Sequence, residues 1–129
     1  MPAVHVLDAS ALLAVLNQEA GMDVVEPLLP GAFMSAVNWS EVVQKALARG
    51  VVAEPRIRQD VEASGVTFLP FDVEDGEGAA FVWRRAPRRG LSLGDRACLA
   101  LAEARGATAV TADRTWATLR LGVDVLVIR

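Results

Sequence analysis

Val4-His5-Val6-Leu7-Asp8-Ala9-Ser10 sets four mostly apolar residues directly against a carboxylate, and the apolar segment Ala11-Leu12-Leu13-Ala14-Val15-Leu16 follows at once. An apolar run this short, closed by a polar residue, suits a buried central strand, although its length and period also admit a helix. As a strand, it places Asp8 at its C-terminal end, the edge of an α/β sheet where loops and helix N-termini converge and ligands bind. The question raised by this stretch is which other acids share that edge.

Outward from it, Ala11–Leu16 reads as a helix ending near Asn17, and Met22–Leu29 as a second, stopped by Pro30-Gly31. Ala32–Ser35 is a short strand. A helix over Asn38–Arg49 closes at Gly50, and another over Ile57–Ala63 closes at Ser64-Gly65. Val66–Leu69 is a third strand ended by Pro70, and the acidic cluster Asp72-Val73-Glu74-Asp75 opens a helix running to about Arg85. Asp95–Arg105 is apolar nearly all round, the mark of a buried helix. Ala109–Thr111 is a fourth strand, Thr115–Leu119 a short helix, and Val123–Ile128 a last strand. Strands alternating with helices predict one α/β domain over residues 1–129, a three-layer α/β/α arrangement with a central parallel sheet of about four to five strands.

The chain has 129 residues, 53% of them hydrophobic, and a mean hydropathy of +0.33. No window reaches the ~20 uninterrupted apolar residues of a membrane span. The first residues lack a basic region and carry Asp8 inside the apolar run, so a secretion signal is not expected. The surplus apolar surface then calls for a core plus an interface with another chain. Cys98 is the only cysteine and reads as a buried core thiol, in keeping with a reducing cytoplasm. His5 is the only histidine, which excludes Cys/His zinc sites and histidine-based triads. A net charge of −3 provides no global field for nucleic acid, though a local one is compatible with it.

Four acids fall on the edge defined by Asp8. Glu41 lies in the first turn of the helix after strand two, Asp95 opens the buried helix, and Asp113 follows Thr111 at the end of strand four. Each has an ordinary alternative: Asn38-x-x-Glu41 and Ser92-x-x-Asp95 match capping boxes or close variants, and Asp113 suits an N-cap. Asp95 resists that reading best, because it heads a stripe continued by apolar Leu99 and Ala102. Two carboxylates ~5 Å apart at an effective dielectric near 20 repel by about 3 kcal/mol, so four converging acids call for protonation or a cation. An all-oxygen site favours Mg²⁺ or Mn²⁺, with Ser10 and Thr111 as hydroxyls that hold the carboxylates. Asp72, Glu74 and Asp75 also follow a strand and open a helix; a strand at the far edge of the sheet would set them apart.

Four stretches carry a family resemblance. They are Val6-Leu7-Asp8-Ala9-Ser10-Ala11-Leu12-Leu13, Ser35-Ala36-Val37-Asn38-Trp39-Ser40-Glu41-Val42-Val43, Leu91-Ser92-Leu93-Gly94-Asp95-Arg96-Ala97-Cys98-Leu99-Ala100-Leu101-Ala102, and Val110-Thr111-Ala112-Asp113-Arg114-Thr115-Trp116. In this order they resemble a PIN domain, and the length resembles the VapC-type toxins of prokaryotic toxin–antitoxin pairs. The resemblance implies a cytoplasmic endoribonuclease dependent on Mg²⁺ or Mn²⁺, the toxin of a type II pair. Asp8, Glu41, Asp95 and Asp113 would be its catalytic and metal-binding acids, supported by Ser10, Thr111 and Asn38. It implies metal held directly by Asp8, Asp95 and Asp113, with Glu41 as a further ligand or as the group that orients the attacking water. It further implies a homodimer, an RNA substrate and a cognate antitoxin that wraps the helices and reaches into the acidic pocket. Gly94 stands where alanine is common in the family, and Trp116 about where some members carry another acid.

Arg84, Arg85, Arg88 and Arg89 form the densest basic patch, read either as a solvated helix end or as candidate RNA contacts. Lys45, the only lysine, reads as a solvated helix residue, and Trp39, Trp83 and Trp116 as core or interface anchors. Val24–Leu29 and the helix bearing Trp83 are the expected contact surfaces for a second copy or an antitoxin. The rival classes are a catalytically silent PIN-like domain and a receiver-like interaction module. The latter needs a lysine after a late strand, and Lys45 is on an early helix.

Overall fold

In the computed structural model, which describes residues 3–50 and 55–129, the opening stretch forms the middle of a sheet. β1 (His5–Leu7) lies between β2 (Phe33–Ser35) and β4 (Thr108–Thr111). β3 (Thr67–Leu69) lies outside β2, and β5 (Val125–Val127) outside β4. All pairings are parallel, with Val6 opposite Phe33 on one side and Ala109 on the other.

The run of apolar residues in β1 follows from its being covered on both faces. Successive strand residues point to opposite faces, and Val6 and Leu7 are both fully buried. Leu7 packs with Leu12, Met34, Val42, Val61 and Val110 on the face covered by α1 (Ala9–Leu16), α3 (Ala36–Ala48) and α4 (Pro55–Ala63). Val6 packs with Val82, Cys98, Leu99, Ala109 and Trp116 on the face covered by α5 (Val73–Arg85) and α6 (Leu93–Arg105). The result is the expected three-layer α/β/α domain with a five-stranded parallel sheet. Among the described residues no helix is long and apolar enough to cross a membrane.

Strand order positions the site. The chain builds outward from β1 to β2 and β3, then returns to the other side of β1 for β4 and β5. Connections on the two sides of such a reversal leave in opposite directions and open a crevice at the C-terminal edge. Asp8 follows β1 and Asp113 follows β4, so both stand at the crevice. β3 is the far edge strand, and Asp72 and Asp75 beyond it close a capping box at the start of α5.

Several boundaries depart from the sequence reading. Met22–Leu29 is not one helix: α2 (Met22–Val25) passes into a 3₁₀ turn over Glu26–Leu28 at Pro27, whose ring nitrogen cannot donate. The capping box that the spacing of Asn38 and Glu41 allows does not form. α3 starts two residues earlier, capped by Ser35 Oγ, which accepts from Val37 N at 3.2 Å. Ser35 ends β2 in extended conformation and so supplies the cap first. Asn38 and Glu41 are consequently both inside the helix, three residues apart on one face, with Glu41 in its second turn.

Candidate active site

Asp8 is the hub. Its side chain is 6% exposed and caps α1. Oδ1 accepts from Ser10 Oγ at 2.6 Å and from Ala11 N at 2.9 Å, and Oδ2 accepts from Thr111 Oγ1 at 2.6 Å. Each hydroxyl has one proton to give, and both are further fixed by backbone donors: Ala112 N donates to Ser10 Oγ at 2.8 Å, and Asp113 N to Thr111 Oγ1 at 3.0 Å. The network presents donors only, so it is built for an ionised carboxylate. Burial nevertheless raises the Asp8 carboxyl above its ordinary value. The hydrogen bonds from Ser10, Thr111 and Ala11 oppose the rise, and the charge of Asp95 adds to it.

Asp95 and Asp113 both cap and face the crevice. Asp95 Oδ2 accepts from Ser92 N at 3.0 Å while Asp95 N donates to Ser92 Oγ at 3.1 Å, the reciprocal capping box of α6. Asp113 Oδ1 accepts from Thr115 N at 2.9 Å and Thr115 Oγ1 at 2.7 Å, capping the 3₁₀ turn Arg114–Thr118. In each case the cap uses one carboxylate oxygen and leaves the other. Glu41 caps nothing. Burial raises its carboxyl first, then the charge of Asp95; Lys45 one turn further along α3 lowers it, and Asp8 raises it again.

Asp8, Ser10, Asn38, Glu41, Asp95 and Asp113 line one cavity of about 290 Å³ together with Lys45. The four acids named from the sequence thus share one cavity wall, with Thr111 behind Asp8 rather than on it. It missed Lys45, whose signal was its position four residues after Glu41, where side chains on a helix meet.

Among the described residues no three acids approach closely enough to form a ready-made metal cage. Mutual repulsion holds uncompensated carboxylates apart, and a site for Mg²⁺ needs room for several retained waters. Three further observations fit such an ion. The acids offer only oxygen, burial raises two of them, and Asn38 Oδ1 beside them is buried without a hydrogen-bond partner.

The basic patch stands elsewhere. Arg85 is bidentate to Glu103 at 2.8 Å, and Arg89 donates to Thr115 O at 2.6 Å and to Thr118 Oγ1 at 2.7 Å, bracing the turn after Asp113. Arg84 stacks over Phe81, Arg88 is exposed, and none of the four lines the acidic cavity. Asp72, Glu74 and Asp75 are likewise absent from its wall. Trp116 and Trp39 are anchors, the first fully buried and the second 4.9 Å from the Phe68 ring, whereas Trp83 is exposed. Cys98 is completely buried, and burial raises its thiol well above the ordinary value, in keeping with an inert core group.

An open parallel sheet with carboxylates from four chain segments gathered at its reversal point defines an α/β domain with an acidic, oxygen-lined site. The model of the PIN domain family matches residues 5–120, and the chain belongs to that family. No curated protein matches it by sequence. Among solved structures it is similar to a toxin–antitoxin complex from Klebsiella pneumoniae, at 18% identity and TM-score 0.74 over 99% of this chain and 98% of that one. It is also similar to VapC20 of Mycobacterium tuberculosis, at 19% identity and TM-score 0.68 over 93% and 98%. VapBC-5 of the same organism shows 25% identity and TM-score 0.58 over 99% of both chains. The fold is therefore that of the VapC-type PIN domains.

Proposed function

We propose that the chain is a Mg²⁺- or Mn²⁺-dependent endoribonuclease, the toxin of a type II toxin–antitoxin pair. The observation that carries this reading is the convergence of Asp8, Glu41, Asp95 and Asp113 on one cavity with no histidine or cysteine on its wall. VapC20, one of the solved neighbours, is described as a Sarcin-Ricin loop cleaving toxin.

Asp8, Asp95 and Asp113 would hold the ion, Asp8 in a geometry fixed by its hydrogen bonds, Asp95 and Asp113 through the oxygen their caps leave. When bound, the ion supplies Lewis acidity at a phosphate oxygen and lowers the pKa of water. Glu41, raised by burial and without a hydrogen-bond partner among the described residues, suits the role of a further ligand or of the group that orients the attacking water and accepts its proton. Lys45 adds the one positive charge on the cavity wall and favours an anionic phosphodiester there. Incubation of the purified chain with total RNA, followed by mapping of the cut ends, should show cleavage with Mg²⁺ or Mn²⁺ and none with EDTA. RNA that stays intact with both ions would leave the interaction-module reading in its place.

The partner we infer is an antitoxin, in line with the toxin–antitoxin complexes among the neighbours. An apolar groove of about 930 Å³, lined by Leu13, Leu16, Trp39, Val42 and Val43, adjoins the acidic cavity and shares Ser10 and Lys45 with it. A chain bound there would reach the acids directly. Val24–Leu29 is a poorer surface than expected, since Val25 and Leu29 are turned into the core. Phe81 and Trp83 on α5, 52% and 54% exposed, are the surface assigned to a second copy. Sedimentation of the chain alone should give twice its 13.7 kDa mass, falling to one mass on Trp83→Ala. A wild-type monomer at micromolar concentration would remove the dimer from the reading.

A further inference from the structure

The acidic cavity has a wall the carboxylates do not supply. Glu41 on α3 meets Gly94, in the first turn of α6, where the two helices pack. Gly94 is buried, lies in helical conformation and is not among the glycines with positive φ, so the backbone alone would accept alanine, the better helix former. The obstacle is one side chain. A Cβ on Gly94 would overlap Oε1 of Glu41, lie 2.7 Å from its Cδ and 3.3 Å from Oε2, and these are its three nearest atoms.

The spacing at this point is held by Asn38, one turn before Glu41. Asn38 is 1% exposed, and its Nδ2 donates to the backbone oxygen of Gly94 at 3.0 Å. That bond fixes the amide orientation, since the flipped form would face oxygen to oxygen. It also leaves Oδ1 buried without a partner. An orphaned acceptor is costly, and here it accompanies the tie that brings Gly94 against Glu41.

We propose that Gly94 is a positioning residue: its missing side chain is the seat of the Glu41 carboxyl group and sets how far that carboxylate stands from Asp8, Asp95 and Asp113. The effect on metal rests on the reading of the cavity given above; the seat itself does not.

Gly94→Ala, Glu41→Ala and the double variant separate the two. In thermal unfolding of the metal-free chain, Gly94→Ala should raise Tm by about 2–4 °C when Glu41 is alanine, and lose that gain when Glu41 is present. In calorimetric titration with Mn²⁺, Gly94→Ala should weaken binding by about tenfold or more, with no further loss once Glu41 is alanine. Equal Tm gains in both backgrounds, or Mn²⁺ affinity untouched by Gly94→Ala, would overturn the proposal. A wild-type chain that binds no Mn²⁺ overturns the metal reading instead, and the Tm cycle then decides the seat alone.

Discussion

Asp8→Asn should lower metal-dependent RNA cleavage by about 10³-fold or more and at the same time raise the Tm of the metal-free chain. The two effects have one origin. Asp8 is buried at the sheet's reversal point, and burial raises its carboxyl in spite of three hydrogen bonds. Its folded value therefore lies above its unfolded one, and the folded state holds the proton more tightly. Stability present at low pH is then lost as pH climbs from the ordinary carboxylate value through the raised one. Glu41 contributes with the same sign. Above the raised value the cost of the buried charge is fully expressed, and asparagine removes it while its side-chain oxygen still accepts from Ala11 N. The Ser10 and Thr111 hydroxyls can rotate to suit the new amide. Wild type should therefore lose more stability than the variant as pH rises from the ordinary carboxylate value through the raised one. Saturating Mg²⁺ should recover stability only in wild type, through binding to the folded state alone. A cleaving Asp8→Asn protein would falsify the site assignment; a variant less stable than wild type at pH 7 would show that the hydrogen bonds outweigh burial.

Trp116→Ala should cost about 3–5 kcal/mol, at least a fifth of the ~5–15 kcal/mol that keeps such a domain folded. Trp116 is the largest fully buried side chain among the described residues and joins Val6, Leu99 and Ala109 on the α5–α6 face. It also fastens the 3₁₀ turn that Asp113 caps and that Arg89 braces from outside. Its removal should therefore weaken Mg²⁺ binding as well as folding. Trp116 Nε1 is buried without a partner, so Trp116→Phe discards an unsatisfied donor along with some packing and should cost well under half as much. Urea unfolding checks both: the midpoint should fall with the slope unchanged, in the order wild type, Phe, Ala. An alanine variant within about 1 kcal/mol of wild type would show that the turn stays anchored without the indole.

Much of this was legible beforehand because it rests on local chemistry. Val4–Leu7 is mostly apolar without alternation since both faces of β1 are covered, and a short run of that kind has few other uses in an α/β chain. Asp95 stood out as an acid heading an apolar stripe. Capping and site membership, which looked like alternatives for Asp95 and Asp113, proved compatible, because a carboxylate has two oxygens and a cap needs one. The capping alternative for Asn38 and Glu41 rested on the same local chemistry and does not form: the Asn-x-x-Glu spacing is genuine, but Ser35 caps the helix first.

The sequence by itself determined the alternation of strands and helices, the chemical type of the site and the acids that could enter it, since these follow from residue identity and spacings of a few positions. Only the tertiary structure decided which acids meet. The order β3-β2-β1-β4-β5 puts Asp8 and Asp113 on either side of the reversal and leaves Asp72, Glu74 and Asp75 beyond the edge strand. Packing of α3 on α6 brings Glu41 onto Gly94, 53 positions away in the chain, and ties Asn38 to the Gly94 backbone. Lys45 reaches the cavity by riding on α3, while Arg85 meets Glu103 and Arg89 the turn after Asp113. Such pairings depend on strand order and helix contacts that no local pattern encodes, because the energy selecting them comes from burying both faces of one sheet at once.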